Sequence, residues 1–127
     1  LQVMGADLVY MGTRFINTVE SSASDEYRAM ICRAKATDVF FTAAHDGAPA
    51  NFLTESLVRA GIDLDDLRYR RPGPVIAAQQ SKKQWKDIWS AGHGAGSVND
   101  VLTVAELCRR LKREYADAKR GLARLAA

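Results

Sequence analysis

A short apolar run that ends in a glycine turn is the feature that most constrains the fold of this chain. Residues 8–11 are largely apolar, and Gly12 and Thr13 follow them directly. A few apolar residues bounded by glycine predict a buried strand of the parallel kind, which is apolar on both faces. Such a strand needs a neighbour on each edge to satisfy its N–H and C=O groups, and we expect none from the residues before it. We therefore predict an α/β protein whose first strand pairs with strands outside these 127 residues.

The Gly12–Thr13 turn is also a candidate anion site. Glycine has no side chain to block the approach of an anion to backbone N–H groups, and the threonine adds a hydroxyl donor. In α/β proteins, ligands bind beyond the carboxyl ends of the strands, which is where this turn is expected to lie. The same pattern is typical of a plain tight turn, so the residues alone leave both interpretations open. For Arg14, an added positive charge and a salt bridge are the two alternatives.

Three blocks of sequence resemble one enzyme family. They are Gly-Ala-Asp at 5–7 with Met-Gly-Thr-Arg-Phe at 11–15, Pro-Ala-Asn-Phe-Leu at 49–53, and Trp-Ser-Ala-Gly-His-Gly-Ala-Gly at 89–96. These blocks are similar, in the same order and at about the same intervals, to blocks of the nitronate monooxygenases, also called 2-nitropropane dioxygenases. The resemblance covers nearly the whole chain up to the final helix.

The resemblance implies an FMN-dependent α/β enzyme with a (β/α)8 TIM barrel, of which this chain is the C-terminal part. Residues 1–37 are then the end of the FMN-binding barrel, with its last strand and helix, and residues 38–127 are a mainly helical extension that packs on the barrel. The implied reaction is the oxidation of an alkyl nitronate by O2 to a carbonyl compound and nitrite. The implied partners are the nitronate, O2 and the upstream half of the barrel, and a homodimer is left open.

The resemblance also implies five FMN contacts. Met11, Gly12 and Thr13 correspond to residues whose backbone amides hold the FMN phosphate, together with a Gly-Gly turn that precedes these residues in the family. Gly92 and His93 correspond to a block near the flavin, although the family usually carries Gln at the place of His93. A partly exposed histidine on a flexible loop is the alternative for that residue. No catalytic residue is expected here, because the family's catalytic histidine lies upstream.

Two other functions stay open. The enoyl-acyl-carrier-protein reductases of the FMN type share the Gly-Thr-Arg-Phe turn at 12–15 and imply an NAD(P)H-dependent reduction. The blocks at 49–53 and 89–96 favour the monooxygenase. A non-catalytic C-terminal fragment that needs its N-terminal half is an alternative of a different class. Because one strand cannot close a barrel, we expect these residues alone to be inactive.

Composition and spacing argue against other kinds of site. The net charge is only +3, and acidic residues are interleaved with the basic ones, so a solvated face is favoured over nucleic-acid binding. The sequence contains no apolar run of about eighteen residues, so no membrane span is predicted. Cys32 and Cys108 lack the spacing of a metal site, and we expect two reduced thiols in a cytoplasmic protein. His45 beside Asp46 has no nucleophile at a useful spacing, so catalysis there is not expected.

The rest of the chain predicts short helices and one further strand. A helix of about twelve residues begins after the cap Ser24, with Tyr27, Met30, Ile31 and Ala34 on its buried face. A strand is predicted at 38–43, helices at 50–60 and 62–67, and a glycine-rich loop at 91–97.

The final helix has the clearest signals. Thr103 and Glu106 form a capping box, and Gly121 is expected to end the helix just after residue 119. The apolar face of this helix is predicted to consist of Val104, Leu107, Leu111 and Tyr115.

Overall fold

The computed structural model describes residues 4–43, 48–69 and 86–125 of the chain. Over these residues the protein is a mixed α/β structure. Its α-helices and strands are α1 (Thr13–Ile16), α2 (Asp25–Arg33), β1 (Val39–Thr42), β2 (Ala50–Leu53), α3 (Thr54–Arg59), α4 (Leu64–Tyr69) and α5 (Val104–Leu125). Two 3-10 helices lie at Ala36–Asp38 and His93–Ser97. The prediction for His45 and Asp46 lies outside the described residues, as do residues 70–85.

Helix α2 begins where its cap predicts. The Ser24 hydroxyl accepts a hydrogen bond from the Tyr27 N–H at 3.2 Å, which satisfies one of the unpaired donors of the first turn. Met30 and Ile31 are buried, and Tyr27 and Ala34 are half-buried, so the predicted apolar face is confirmed. The helix has nine residues rather than about twelve, because Ala34 already has an extended backbone.

Strands β1 and β2 form an antiparallel pair, with Val39 opposite Leu53 and Thr42 opposite Ala50. The strand predicted at 38–43 is therefore confirmed, whereas the helix predicted from residue 50 is wrong in its first part. The reason is tertiary pairing: the Leu53 N–H donates to the Trp89 carbonyl at 2.8 Å on the side away from the hairpin partner. Backbone groups held in this way override a weak local preference for helix. Gly61 has a φ of 76° and ends α3, as predicted.

The strand predicted at residues 8–11 is wrong for this structure. The segment has no regular secondary structure, and Leu8 and Tyr10 are 91% and 98% exposed. Among the described residues, the sheet consists of β1 and β2, and no strand pairs with this segment. An apolar segment without neighbours on its edges cannot form the hydrogen bonds that define a strand. The apolar run in the sequence is therefore not sufficient to make residues 8–11 a strand.

The glycine-rich loop and the last helix also differ from expectation. Residues 93–97 form a 3-10 helix rather than an irregular loop. The capping box is confirmed, since the Glu106 N–H donates to the Thr103 hydroxyl at 3.2 Å and the Thr103 N–H donates to the Glu106 carboxylate at 3.0 Å. Helix α5 nevertheless runs through Gly121 to Leu125. One exposed glycine costs a helix about 1 kcal/mol, which the Ala, Leu and Arg residues around it can offset.

Among the described residues, two apolar clusters form the core. One contains residues of α2, β2 and the segment 89–98, namely Met30, Ile31, Leu53, Trp89, Ala91, Ala95 and Val98. The other lies on the opposite side of β2 and contains Phe52, Leu57, Leu67 and Ile88. Because Leu53 and Phe52 are neighbours on one strand, β2 joins the two clusters.

Candidate functional site

The turn at residues 11–14 leads directly into a short helix. The carbonyl of Gly12 accepts hydrogen bonds from the N–H groups of Phe15 and Ile16, at 2.9 and 3.2 Å. The first N–H groups of a helix have no partner within it, so the amides of Thr13 and Arg14 are free of intrahelical bonds. A Cβ atom at Gly12 would have no heavy atom within 4 Å. The space beside this glycine is therefore open to a ligand.

A hydrogen bond connects this turn to the glycine-rich segment, which lies 79 residues later in the sequence. The Gly92 N–H donates to the Thr13 hydroxyl oxygen at 2.8 Å. A hydroxyl group that accepts in this way keeps its own proton to donate elsewhere. The structure thus brings Thr13 and Gly92, two of the predicted contact residues, into direct contact.

The turn, the glycine-rich segment and one side of α5 enclose a cavity of about 550 Å³. Its lining consists of Tyr10, Met11, Gly12, Thr13, Arg14, Gly92, Gly94, Ser97, Val98, Leu107, Arg110, Leu111 and Glu114. Four of the five predicted contact residues belong to this lining. The exception is His93, which is exposed and does not line the cavity. Binding of FMN by these residues stays a prediction.

An acidic residue fixes the two arginines of the cavity wall. The Asp100 carboxylate pairs with Arg14 at 2.5 Å and with Arg110 at 2.7 Å. The Asp100 carbonyl also accepts hydrogen bonds from Arg14 at 3.1 Å and from the Asn17 amide at 3.0 Å. Arg110, and then Arg14, lower the pKa of Asp100 below its usual range, because they stabilise the charged form. Asp100 therefore ties α1 to α5.

Sequence reasoning identified Arg14 but missed Arg110 and Asp100. The salt bridge left open for Arg14 is the arrangement that the structure shows. A signal for Arg110 existed, since it lies three residues after the buried Leu107 and shares its side of the helix. Asp100 had no comparable signal, because only the tertiary fold brings it beside Arg14, 86 residues away.

Trp89 belongs to the core rather than to the cavity. It is buried, stacks on Tyr27 with the ring centroids 4.9 Å apart, and lies under the Arg59 guanidinium at 4.2 Å. Burial raises the pKa of Tyr27, whose hydroxyl donates to the Ser90 carbonyl. These contacts anchor the start of the glycine-rich segment against α2.

Other kinds of site are not found in the part of the chain that the structure describes. Cys32 and Cys108 are both free thiols, as predicted, and the Asn17 amide contacts the Cys32 sulfur at 3.0 Å. No group of three potential metal ligands occurs within residues 4–43, 48–69 and 86–125. None of the described helices combines the length and the apolar character needed to cross a membrane.

Fold and site together define the class: a mixed α/β protein with a cavity between a glycine turn, a glycine-rich 3-10 helix and a basic helix. The family model described as nitronate monooxygenase matches residues 2–114. The chain therefore belongs to the nitronate monooxygenase family, as the three sequence blocks indicated.

Two further comparisons agree with this assignment. The chain is 30% identical to a protein named "Probable nitronate monooxygenase" from Staphylococcus saprophyticus, in an alignment that covers 69% of this chain and 27% of that protein. It is also similar to the structure of a FabK mutant from Thermotoga maritima, with a TM-score of 0.68, 25% identity, and coverage of 96% of this chain and 37% of FabK. A second FabK structure from that organism gives a TM-score of 0.65 at 24% identity, which shows the fold alone. The chain thus spans about a quarter of the curated relative.

Proposed function

We propose that this chain is the C-terminal portion of an FMN-dependent (β/α)8 barrel enzyme that oxidises alkyl nitronates with O2 to a carbonyl compound and nitrite. The observation that carries the proposal is the Gly92–Thr13 hydrogen bond, which places both predicted contact segments on one cavity. Family membership supports the reaction class. When bound, the flavin supplies the electron transfer, and the protein supplies position and electrostatics.

The residues of the cavity fit the phosphate end of FMN. Two amides at the start of α1 and the hydroxyl proton of Thr13 are donors that need no positive side chain to bind an anion. Gly12 leaves open space at this point, and the cavity of about 550 Å³ is within the range of small-molecule sites. Arg14 is paired with Asp100, which compensates its charge, so the donors proposed for the phosphate are the amides and the Thr13 hydroxyl.

The exposed apolar segment at residues 8–11 supports an upstream barrel half as the partner. Leu8 is 91% and Val9 is 53% exposed, and exposed apolar segments of this kind mark interaction sites. In the proposed enzyme this segment is the last barrel strand and pairs with strands of the upstream half. Residues 1–37 then complete the barrel, and residues 38–127 form the extension that packs on it.

A pair of glycine variants tests the phosphate site. In the protein co-expressed with an upstream barrel half, Gly12→Val should weaken FMN binding at least tenfold, because a branched side chain then occupies the open space beside the turn. Gly121→Val, on the exposed side of α5, places the same side chain in open space outside the cavity and should retain FMN. Flavin absorbance after gel filtration measures retention. If Gly12→Val keeps its flavin, Gly12 is only a turn residue.

The second candidate function is a reduction by an enzyme of the FMN-type enoyl-acyl-carrier-protein reductase kind. The Gly-Thr-Arg-Phe turn at residues 12–15, whose first three residues line the cavity, is the feature that favours it. The two reactions consume different co-substrates. Nitronate-dependent uptake of O2 with release of nitrite supports the first, and enoyl-thioester-dependent oxidation of NAD(P)H supports the second. If the reconstituted protein binds FMN but does neither, a non-catalytic role is the better account.

A further inference from the structure

The charged side chains around the cavity balance one another. Among the described residues, the charged members of the cavity lining are Arg14, Arg110 and Glu114. Asp100 does not line the cavity, but its carboxylate contacts both arginines. Clefts that attract anions by charge are lined by an excess of positive groups. With two arginines set against two carboxylates, the described part of this cavity has no such excess.

Asp100 is held in place by contacts with two helices and with the residue that follows α1. One carboxylate oxygen pairs with Arg14 of α1 at 2.5 Å, and the other pairs with Arg110 of α5 at 2.7 Å. The Asp100 carbonyl accepts hydrogen bonds from Arg14 and from Asn17, whose side chain is fully buried. Because one fixed carboxylate binds both guanidinium groups, neither arginine can turn to a ligand without losing that partner.

Glu114 supplies the second negative charge. It lies four residues after Arg110 on α5, and this spacing places the two side chains on the same side of a helix. Both residues line the cavity. The two arginines are thus offset by Asp100 on one side and by Glu114 on the other.

This balance decides which anions gain from the arginines. A free arginine pair binds phosphate oxygens by charge-assisted hydrogen bonds, and its attraction grows with the charge of the ligand. Where carboxylates already hold the arginines, a further negative charge on the ligand gains little. Binding then depends on neutral donors, such as the Thr13 hydroxyl, whose number suits one phosphate group.

We propose that Asp100 determines the specificity of this cavity: by holding Arg14 and Arg110, it makes the site select a ligand with a single phosphate group over one with a diphosphate group. The inference rests on the proposed function, which places the phosphate end of FMN here, and it adds a reason why diphosphate nucleotides are disfavoured. Asp100 does not itself touch the ligand. It acts through the two arginines and is therefore a positioning residue.

Inorganic phosphate and pyrophosphate are the probes, since both are small and pyrophosphate carries the larger negative charge. Titration calorimetry on the flavin-free protein, co-expressed with an upstream barrel half, measures the ratio of their dissociation constants. Asp100→Asn removes the charge but keeps the backbone carbonyl, and it should tighten pyrophosphate binding about tenfold relative to phosphate at low salt. Asp117→Asn is the matched control: Asp117 pairs with Arg120 on α5 and does not line the cavity. It should keep the parental ratio.

An arginine variant should shift the ratio in the opposite direction. Arg110→Gln leaves the negative charge of Glu114 unbalanced, so it should weaken pyrophosphate binding relative to phosphate by about threefold or more. The double variant Asp100→Asn, Arg110→Gln removes one charge of each sign and should return the ratio to that of the parent protein. A purely structural role of Asp100 does not predict this recovery.

An unchanged ratio in Asp100→Asn, an equal change in Asp117→Asn, or a parent protein that binds neither anion would overturn the proposal. If circular dichroism shows that Asp100→Asn does not fold, Arg110→Gln decides, and a ratio that stays constant or moves towards pyrophosphate refutes the inference. A separate FMN titration distinguishes the two proposals. If the parent protein binds the anions but not FMN, the proposed function fails while the anion ratios still decide the role of Asp100. If FMN binds and the ratios do not change, the inference about Asp100 fails alone.

Discussion

A glycine-to-alanine pair within one 3-10 helix tests the packing argument most directly. A Cβ atom at Gly96 would lie 2.9 Å from the backbone nitrogen of Ala36 and 3.5 Å from the carbonyl carbon of Lys35. Backbone atoms cannot move aside as the end of a side chain can. At Gly94, two residues earlier in the same helix, a Cβ atom would have no heavy atom within 4 Å. Neither glycine has a positive φ, so the two substitutions differ in crowding and not in backbone strain.

The magnitude follows from the cost of overpacking. Forcing one extra carbon into a closely packed contact costs about 1–3 kcal/mol. The unfolding entropy of a globular protein is about 2.1 cal/mol/K per residue. For a chain of this length, a loss of about 1 kcal/mol in the free energy of unfolding therefore lowers the melting temperature by about 4 °C. Gly96→Ala should therefore lower the Tm by about 4–12 °C. Gly94→Ala should leave it unchanged or raise it slightly, because alanine restricts the unfolded chain by about 0.4–1 kcal/mol.

Thermal unfolding followed by circular dichroism measures both variants against the parent chain. The contact at Gly96 joins the 3-10 helix His93–Ser97 to the 3-10 helix Ala36–Asp38, so the loss should appear as a lower Tm of the whole cooperative unit. Equal melting temperatures for Gly96→Ala and Gly94→Ala would refute the reasoning. That result would mean that the two segments do not lie as close together as the structure places them.

Three further predictions concern the cap, the cavity wall and the turn. Thr103→Ala removes the cap of α5 and should cost about 1 kcal/mol with little effect on FMN content, which a urea titration and the flavin spectrum check. The pKa of Asp100 is lowered in the folded protein, so its ion pairs stabilise the fold fully at pH values above the ordinary aspartate pKa of 3.8. This stabilisation is lost as the pH falls through the lower pKa of the folded state. Asp100→Asn should therefore lower the Tm slightly at neutral pH but not in acid, and an equal loss at both pH values would contradict this. Thr13→Val should reduce FMN retention and Thr13→Ser should keep it, since only the hydroxyl can bond to Gly92 and to a phosphate.

Local signals in the sequence determined the helices that carry their own caps. The Ser24 cap of α2 and the Thr103–Glu106 capping box of α5 use residues within one turn of each other, so distant parts of the chain are not needed to place them. The three ordered blocks likewise led to the family, because a motif depends on residue order alone. The buried pair Met30 and Ile31 followed from helical spacing, which is also a local property.

Only the tertiary structure decided which backbone groups pair across the chain. Residues 50–53 became a strand because β1 and the Trp89 carbonyl hold their backbone groups, and residues 8–11 formed none because no described segment pairs with them. The cavity has the same origin: Thr13 meets Gly92, and Asp100 joins Arg14 to Arg110, through contacts between residues far apart in sequence. Spacing along a chain fixes the face of a helix, but it does not fix which distant donor an acceptor will meet. That choice depends on packing of the whole core, in which β2 lies between two apolar clusters.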